Sequence, residues 1–168
     1  MGMTFQTFQI INNIKVLVLR KKMLSFREFL NETSGTNGTT VKPKNRSELI
    51  DIIEETIVDE GNNCDLNFID TSLIKDMHIL FYDSNFNGDI SKWDVSNVED
   101  MYCMFFKSKF NDDISKWDVS KVKDMTNMFY GSNFNGDISQ WDVSNVKDMK
   151  AMFYDSPLEG NEPDWYKG

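Results

Sequence analysis

The stretch Phe86-Asn-Gly-Asp-Ile-Ser-Lys-Trp-Asp-Val-Ser-Asn-Val-Glu-Asp-Met101 is followed by a near copy from Phe110 and another from Phe134. Trp93, Trp117, Trp141 and Trp165 stand 24 residues apart. A fixed period of this size marks an array of stacked units. In the middle copy the positions that hardly vary are those of Phe110, Asp113, Ile114, Trp117, Asp118, Val119, Ser120, Val122, Asp124, Met125, Met128 and Phe129. The positions of Lys116, Lys121, Lys123 and Thr126 drift from copy to copy. The fixed set is mostly large and apolar and reads as core; the drifting set is polar and reads as surface. One unit has too few apolar side chains to offset the ordering of its backbone, so the units must cover one another.

Each unit reads as strand, turn and helix. Asn87-Gly88 is a turn signal, Ile90 to Trp93 a short extended run, and Asp94-Val95-Ser96 an Asx-type turn. Val98, Met101, Met104 and Phe105 follow helical spacing, with Ser96 and Glu99 forming a capping box and Asp100 in the first turn. The expected fold is therefore an α/β solenoid. Its strand-turn-helix units would place a small parallel sheet on one side and short helices on the other.

The phrase Phe-Asn-Gly-Asp-Ile-Ser-x-Trp-Asp-Val-Ser-x-Val-x-Asp-Met-x-x-Met-Phe resembles the BspA-like, mycoplasma-lipoprotein-associated surface repeat, a relative of leucine-rich repeats. The resemblance runs from about Asn62 to Gly168. It implies a leucine-rich-repeat-like solenoid used for binding or adhesion, often at bacterial surfaces, with no catalytic residues to carry over. Gly88 and Gly136 are replaced by Asp112 in the middle copy, and no lipoprotein signal is present.

Residues 1–32 form an N-terminal segment. Ile10 to Leu19 is apolar, but Asn12, Asn13 and Lys15 interrupt it well short of a membrane span. No basic region precedes it and no cleavage site follows, which points to the cytoplasm or a virion and not to standard secretion. Arg20-Lys21-Lys22 before Met23 allows a natural start at Met23, and Ser25 to Glu32 reads as a short helix. Residues 33–44 have linker composition. Asn45 with Glu48 opens a helix closed by Gly61, with Leu49, Ile53 and Ile57 on one face, placed to cap the first unit. Residues 62–85 are a worn repeat, 86–109, 110–133 and 134–157 are full copies, and 158–168 is a partial one.

Charge is uneven. Residues 1–61 balance eight acidic against eight basic side chains; residues 62–168 carry nineteen against ten, a net of −9. An acidic repeat half opposes nucleic-acid binding, which needs a basic surface. No phosphate loop, nucleophile elbow or zinc spacing appears, so no enzyme and no cofactor are expected. His78 falls at a solvated position, and Cys64 and Cys103 are out of phase with the repeat. The columns of Asp94, Asp118 and Asp142 read as turn caps, with a calcium ladder as the sharper alternative. The tryptophans read as core, with a carbohydrate-stacking ladder as the alternative. The expected function is a non-enzymatic module for a protein partner, or a structural part of a phage particle or bacterial surface assembly. The partner surface would be drawn from the drifting positions Asn97, Glu99, Tyr102, Lys121, Lys123, Thr126, Lys147 and Lys150.

Overall fold

A computed structural model describes residues 40–167. The expectations for residues 1–39 (an N-terminal segment 1–32, a helix over Ser25–Glu32, a start at Met23 and the first part of the linker) lie outside the described residues.

Helix α1, Arg46–Glu60, is the one α-helix among the described residues. The Asn45 side chain accepts the Glu48 amide at 3.1 Å, and the Glu48 carboxylate accepts the Lys44 amide at 2.9 Å. Gly61, at φ 88°, ends the helix and donates its amide to the Ile57 carbonyl at 2.9 Å. The buried face is Leu49, Ile53 and Thr56, and the first two join the core of the repeats. Just before the helix, Val41 pairs with the first coil through Phe68 and Asp70, and Lys42 forms an ion pair with Asp70 at 2.8 Å.

The expected α/β solenoid of strand-turn-helix units does not form. Among the described residues there is no sheet, only five isolated parallel bridges, and the stretches expected as repeat helices are runs of tight turns. The hydrogen bonds of residues 101–108 give the reason. The amides of Met101, Cys103, Phe105 and Lys107 donate to the carbonyls of Asp124, Thr126, Met128 and Tyr130 in the next coil, at 2.7–3.0 Å. Between them, Tyr102 donates to the Asp100 carboxylate, and Met104, Phe106 and Ser108 each donate to the carbonyl three residues back. Every amide in the run is satisfied without one bond of the α-helical kind. Cys103 (φ 51°) and Lys107 (φ 53°) take the left-handed conformation, and their counterparts in the other coils do the same.

Spacing decides between turns and helices. Equivalent rings in neighbouring coils are 4.8 Å apart at Tyr82–Phe106, 5.5 Å at Phe81–Phe105 and 6.2 Å at Phe86–Phe110. α-Helices pack 8–10 Å apart, so helices on one side would pry the coils open there. Instead, the side expected to be helical is as closely spaced as the rest.

The core is two columns of phenylalanines with the tryptophans beside them. Phe81, Phe105, Phe129 and Phe153 stack along the axis, and Phe86, Phe110 and Phe134 stack parallel to them. Each indole N–H donates to a carbonyl in the preceding coil: Trp93 to Leu66, Trp117 to Ile90, Trp141 to Ile114 and Trp165 to Ile138, at 2.9–3.3 Å. Gly88 is required by close approach, because a Cβ there would stand 2.0 Å from the Cys64 carbonyl oxygen. One coil later Asp112 is half-buried, and its own carboxylate caps the Asp113 amide.

Candidate binding surface

The drifting positions fall into columns that are partly tied together across coils. Lys121 donates to the Asn97 side chain at 2.8 Å, Asn97 donates to the Ser72 carbonyl at 3.0 Å, and Asn145 donates to the Ser120 carbonyl at 2.7 Å. Lys123 forms an ion pair with Glu99, which holds the Glu99 carboxyl below its ordinary range. The amides of Glu99, Lys123 and Lys147 continue this column, each donating to the carbonyl 24 residues earlier. Lys147 and Lys150 are exposed, and Thr126 is half-buried. Tyr102 is 38% exposed, its amide held by Asp100. Its hydroxyl is pushed above the ordinary tyrosine range, first by Cys103, then by desolvation, and in smaller part by Asp124 and Tyr82. Asn97, Glu99, Lys121 and Lys123 thus form one linked patch, and Tyr102 stands near Tyr82.

The aspartate columns are turn caps. Asp94, Asp118 and Asp142 accept the amides of Ser96, Ser120 and Ser144, all at 3.0 Å. Asp89, Asp113 and Asp137 do the same for Ser91, Ser115 and Ser139. Asp100, Asp124 and Asp148, read from sequence as helix starts, cap the amides of Tyr102, Thr126 and Lys150. These bonds stabilise the ionised form. Asp113 and Asp118 are lowered by the hydroxyls and then the amides of Ser115 and Ser120, Asp142 by the amide and then the hydroxyl of Ser144. Asp70 is lowered to about 2, chiefly by its hydrogen bond from Lys42.

His78 sits in a turn, with Nδ1 2.5 Å from Asp76. Asp76, His78 and Asp100 bring possible metal-ligand atoms within 4.8 Å of one another, yet both carboxylates already cap backbone amides. Cys64 and Cys103 are free and buried. Trp93, Trp117 and Trp141 are 4% exposed, so their faces are not offered to a sugar ring.

The column that sequence reasoning missed is Tyr82, Phe106, Tyr130 and Tyr154. Their rings stack outside the core at 4.8, 4.9 and 5.0 Å, with Tyr82 47% and Tyr154 54% exposed. The Lys107 ammonium lies 5.5 Å from the Phe106 ring centre. The signal was present: an aromatic residue follows Phe81, Phe105, Phe129 and Phe153 at the same 24-residue period.

The family described as Mycoplasma protein of unknown function, DUF285, matches residues 53–165. No curated protein and no solved structure matches the chain.

Proposed function

Because the chain belongs to the family of Mycoplasma proteins of unknown function, DUF285, we propose its role from the surface itself: a non-enzymatic module that binds a protein partner. The observation that carries this reading is the surface aromatic column Tyr82–Phe106–Tyr130–Tyr154, exposed at Tyr82 and Tyr154 and half-buried at Phe106 and Tyr130. Exposed tyrosines presented on a rigid support give large contact area at low entropic cost, which is why aromatic residues concentrate in protein interfaces. The linked patch of Asn97, Glu99, Lys121 and Lys123 supplies mixed charge, suited to a protein and not to a periodic polymer. The finer likeness to BspA-like surface repeats rests on the phrase itself and supports adhesion or protein binding as the use. No helix among the described residues is long and apolar enough to cross a membrane.

The test compares partner capture by the natural chain, a Tyr82→Ser/Tyr130→Ser variant and a Lys121→Glu/Lys123→Glu variant, each with its melting temperature. Both variants should lose capture by tenfold or more. The lysine variant should melt almost unchanged, since exposed ion pairs contribute little. Full capture by both variants at normal stability would place the contact surface elsewhere.

A further inference from the structure

The first row of inter-coil bonds runs from the amides of Met77, Ile79, Phe81 and Asp83 to the carbonyls of Asp100, Tyr102, Met104 and Phe106, at 2.7–2.9 Å. The bonds of Met77 and Ile79 flank His78, the one histidine of the chain. They set the register that brings Asp100 of the second coil beside Asp76 and His78 of the first. One ligand atom from each of the three lies within 4.8 Å of the others, and all three residues are half-buried, within reach of an ion from solvent. The backbone of His78 is pinned on both sides. Its amide donates to Asp76 Oδ1 at 2.9 Å, and Arg46 Nε donates to its carbonyl at 3.0 Å.

A second observation shows that a side chain at this position reaches the aspartate of the next coil. Two coils on, Thr126 stands in the place of His78. There the Asp148 carboxyl is held below its ordinary range by the Lys150 amide and then by the Thr126 hydroxyl. Charge sets the first coil apart. Lys42 pairs with Asp70, Lys123 pairs with Glu99, and Arg46 directs its guanidinium to the His78 carbonyl. Asp76 has only the imidazole, with Nδ1 2.5 Å from Oδ1, and among the described residues Asp100 has no ion-pair partner. The backbone caps use Oδ1 of each carboxylate, so among the described residues Oδ2 of both is without a hydrogen bond.

We propose that Asp76, His78 and Asp100 hold one divalent transition-metal ion of the zinc class, which clamps the first coil to the second. One imidazole nitrogen and two carboxylates are a ligand set for such an ion, and a water or an outside donor takes the fourth position. Two ligands of a tetrahedral zinc ion, each about 2.0–2.1 Å from it, stand roughly 3.4 Å apart. His78 and Asp76 therefore part by about 0.9 Å and the widest pair closes by at most about 1.4 Å, which side-chain rotation supplies. Calcium suits the site poorly, because it takes six to eight oxygens.

The test titrates zinc chloride into the untagged full chain, first freed of metal with a chelator. Calorimetry follows the bound ion and NMR follows the single imidazole. One ion per chain should bind, the His78 ring signals should shift, and the melting temperature should rise. His78→Gln should weaken binding tenfold or more. Asp100→Asn should do the same while keeping the acceptor for the Tyr102 amide, so that the turn is retained. Asp124→Asn, one coil beyond, should bind zinc like the natural chain. Ring signals that stay in place at saturating zinc overturn the proposal. Zinc binding undiminished in His78→Gln also overturns it, since the ligands would then be surface carboxylates alone. A melting temperature raised by calcium and not by zinc overturns it in favour of an all-oxygen site.

Discussion

Asp118 accepts the Ser120 amide at 3.0 Å, and the same bond recurs at Asp94 and Asp142 in the neighbouring coils. An amide oxygen also serves as the acceptor two residues before the donor, lacking only the charge that these bonds favour. Asp118→Asn should therefore cost little, while Asp118→Ala should lose on the order of 1 kcal/mol in a denaturant titration, as for other lost caps. Equal loss in both variants would show that the charge, and not the acceptor, matters. The acid response follows from the same bonds. Carboxylates lowered in the folded state contribute stability that is present above the unfolded value of about 3.9 and is lost as pH falls through the folded value. The melting temperature should be level above about pH 5 and fall below pH 4, with Asp70 contributing down to about 2. A chain that melts at the same temperature at pH 3 and pH 6 would show that these caps do not matter energetically. The Asx turns were legible from sequence because they depend on residues two apart.

At the scale of the element, α1 was legible from Asn45, Glu48 and Gly61, since capping is local. The repeat helices were misread because the spacing of Val98, Met101, Met104 and Phe105 records which side chains are buried, not how the backbone bonds. Turns with a left-handed residue every fourth position bury the same residues. The decisive fact, a coil spacing near 5 Å, is a property of neighbours and is not written within one unit. Helix α1 also caps the carbonyl end of the first row: the Arg46 guanidinium donates to the His78 carbonyl at 3.0 Å through Nε and 2.5 Å through Nη2. Arg46→Ala should cost about 1–2 kcal/mol, the range for a charged donor lost from a part-buried acceptor. Unfolding of the variant at the natural denaturant midpoint would mean that water replaces the guanidinium at no cost.

Across the whole molecule, each tryptophan joins its own coil to the one before, by packing and by its indole N–H. Trp117→Ala removes the ring from between Phe105 and the neighbouring apolar residues and leaves the Ile90 carbonyl without its donor. The expected loss is about 3–5 kcal/mol, measured by calorimetry. A variant that melts within a degree or two of the natural chain would contradict the core assignment. The core and its tryptophans were legible in the 24-residue period, whereas the surface aromatic column was not, because a ring adjacent to a fixed phenylalanine reads as more core until the turn geometry shows which way it faces.

The coil spacing has a mechanical meaning. One coil of 24 residues advances the stack by little more than a ring's separation, 5.5 Å between Phe81 and Phe105. The same residues, drawn out, reach roughly 80 Å. A load pulling the two ends apart acts along the inter-coil hydrogen bonds and opens them a few at a time, so the chain is built to pay out in discrete lengths. Held between two anchored bodies, it would behave as a folded tether, yielding coil by coil and lengthening more than tenfold at each step.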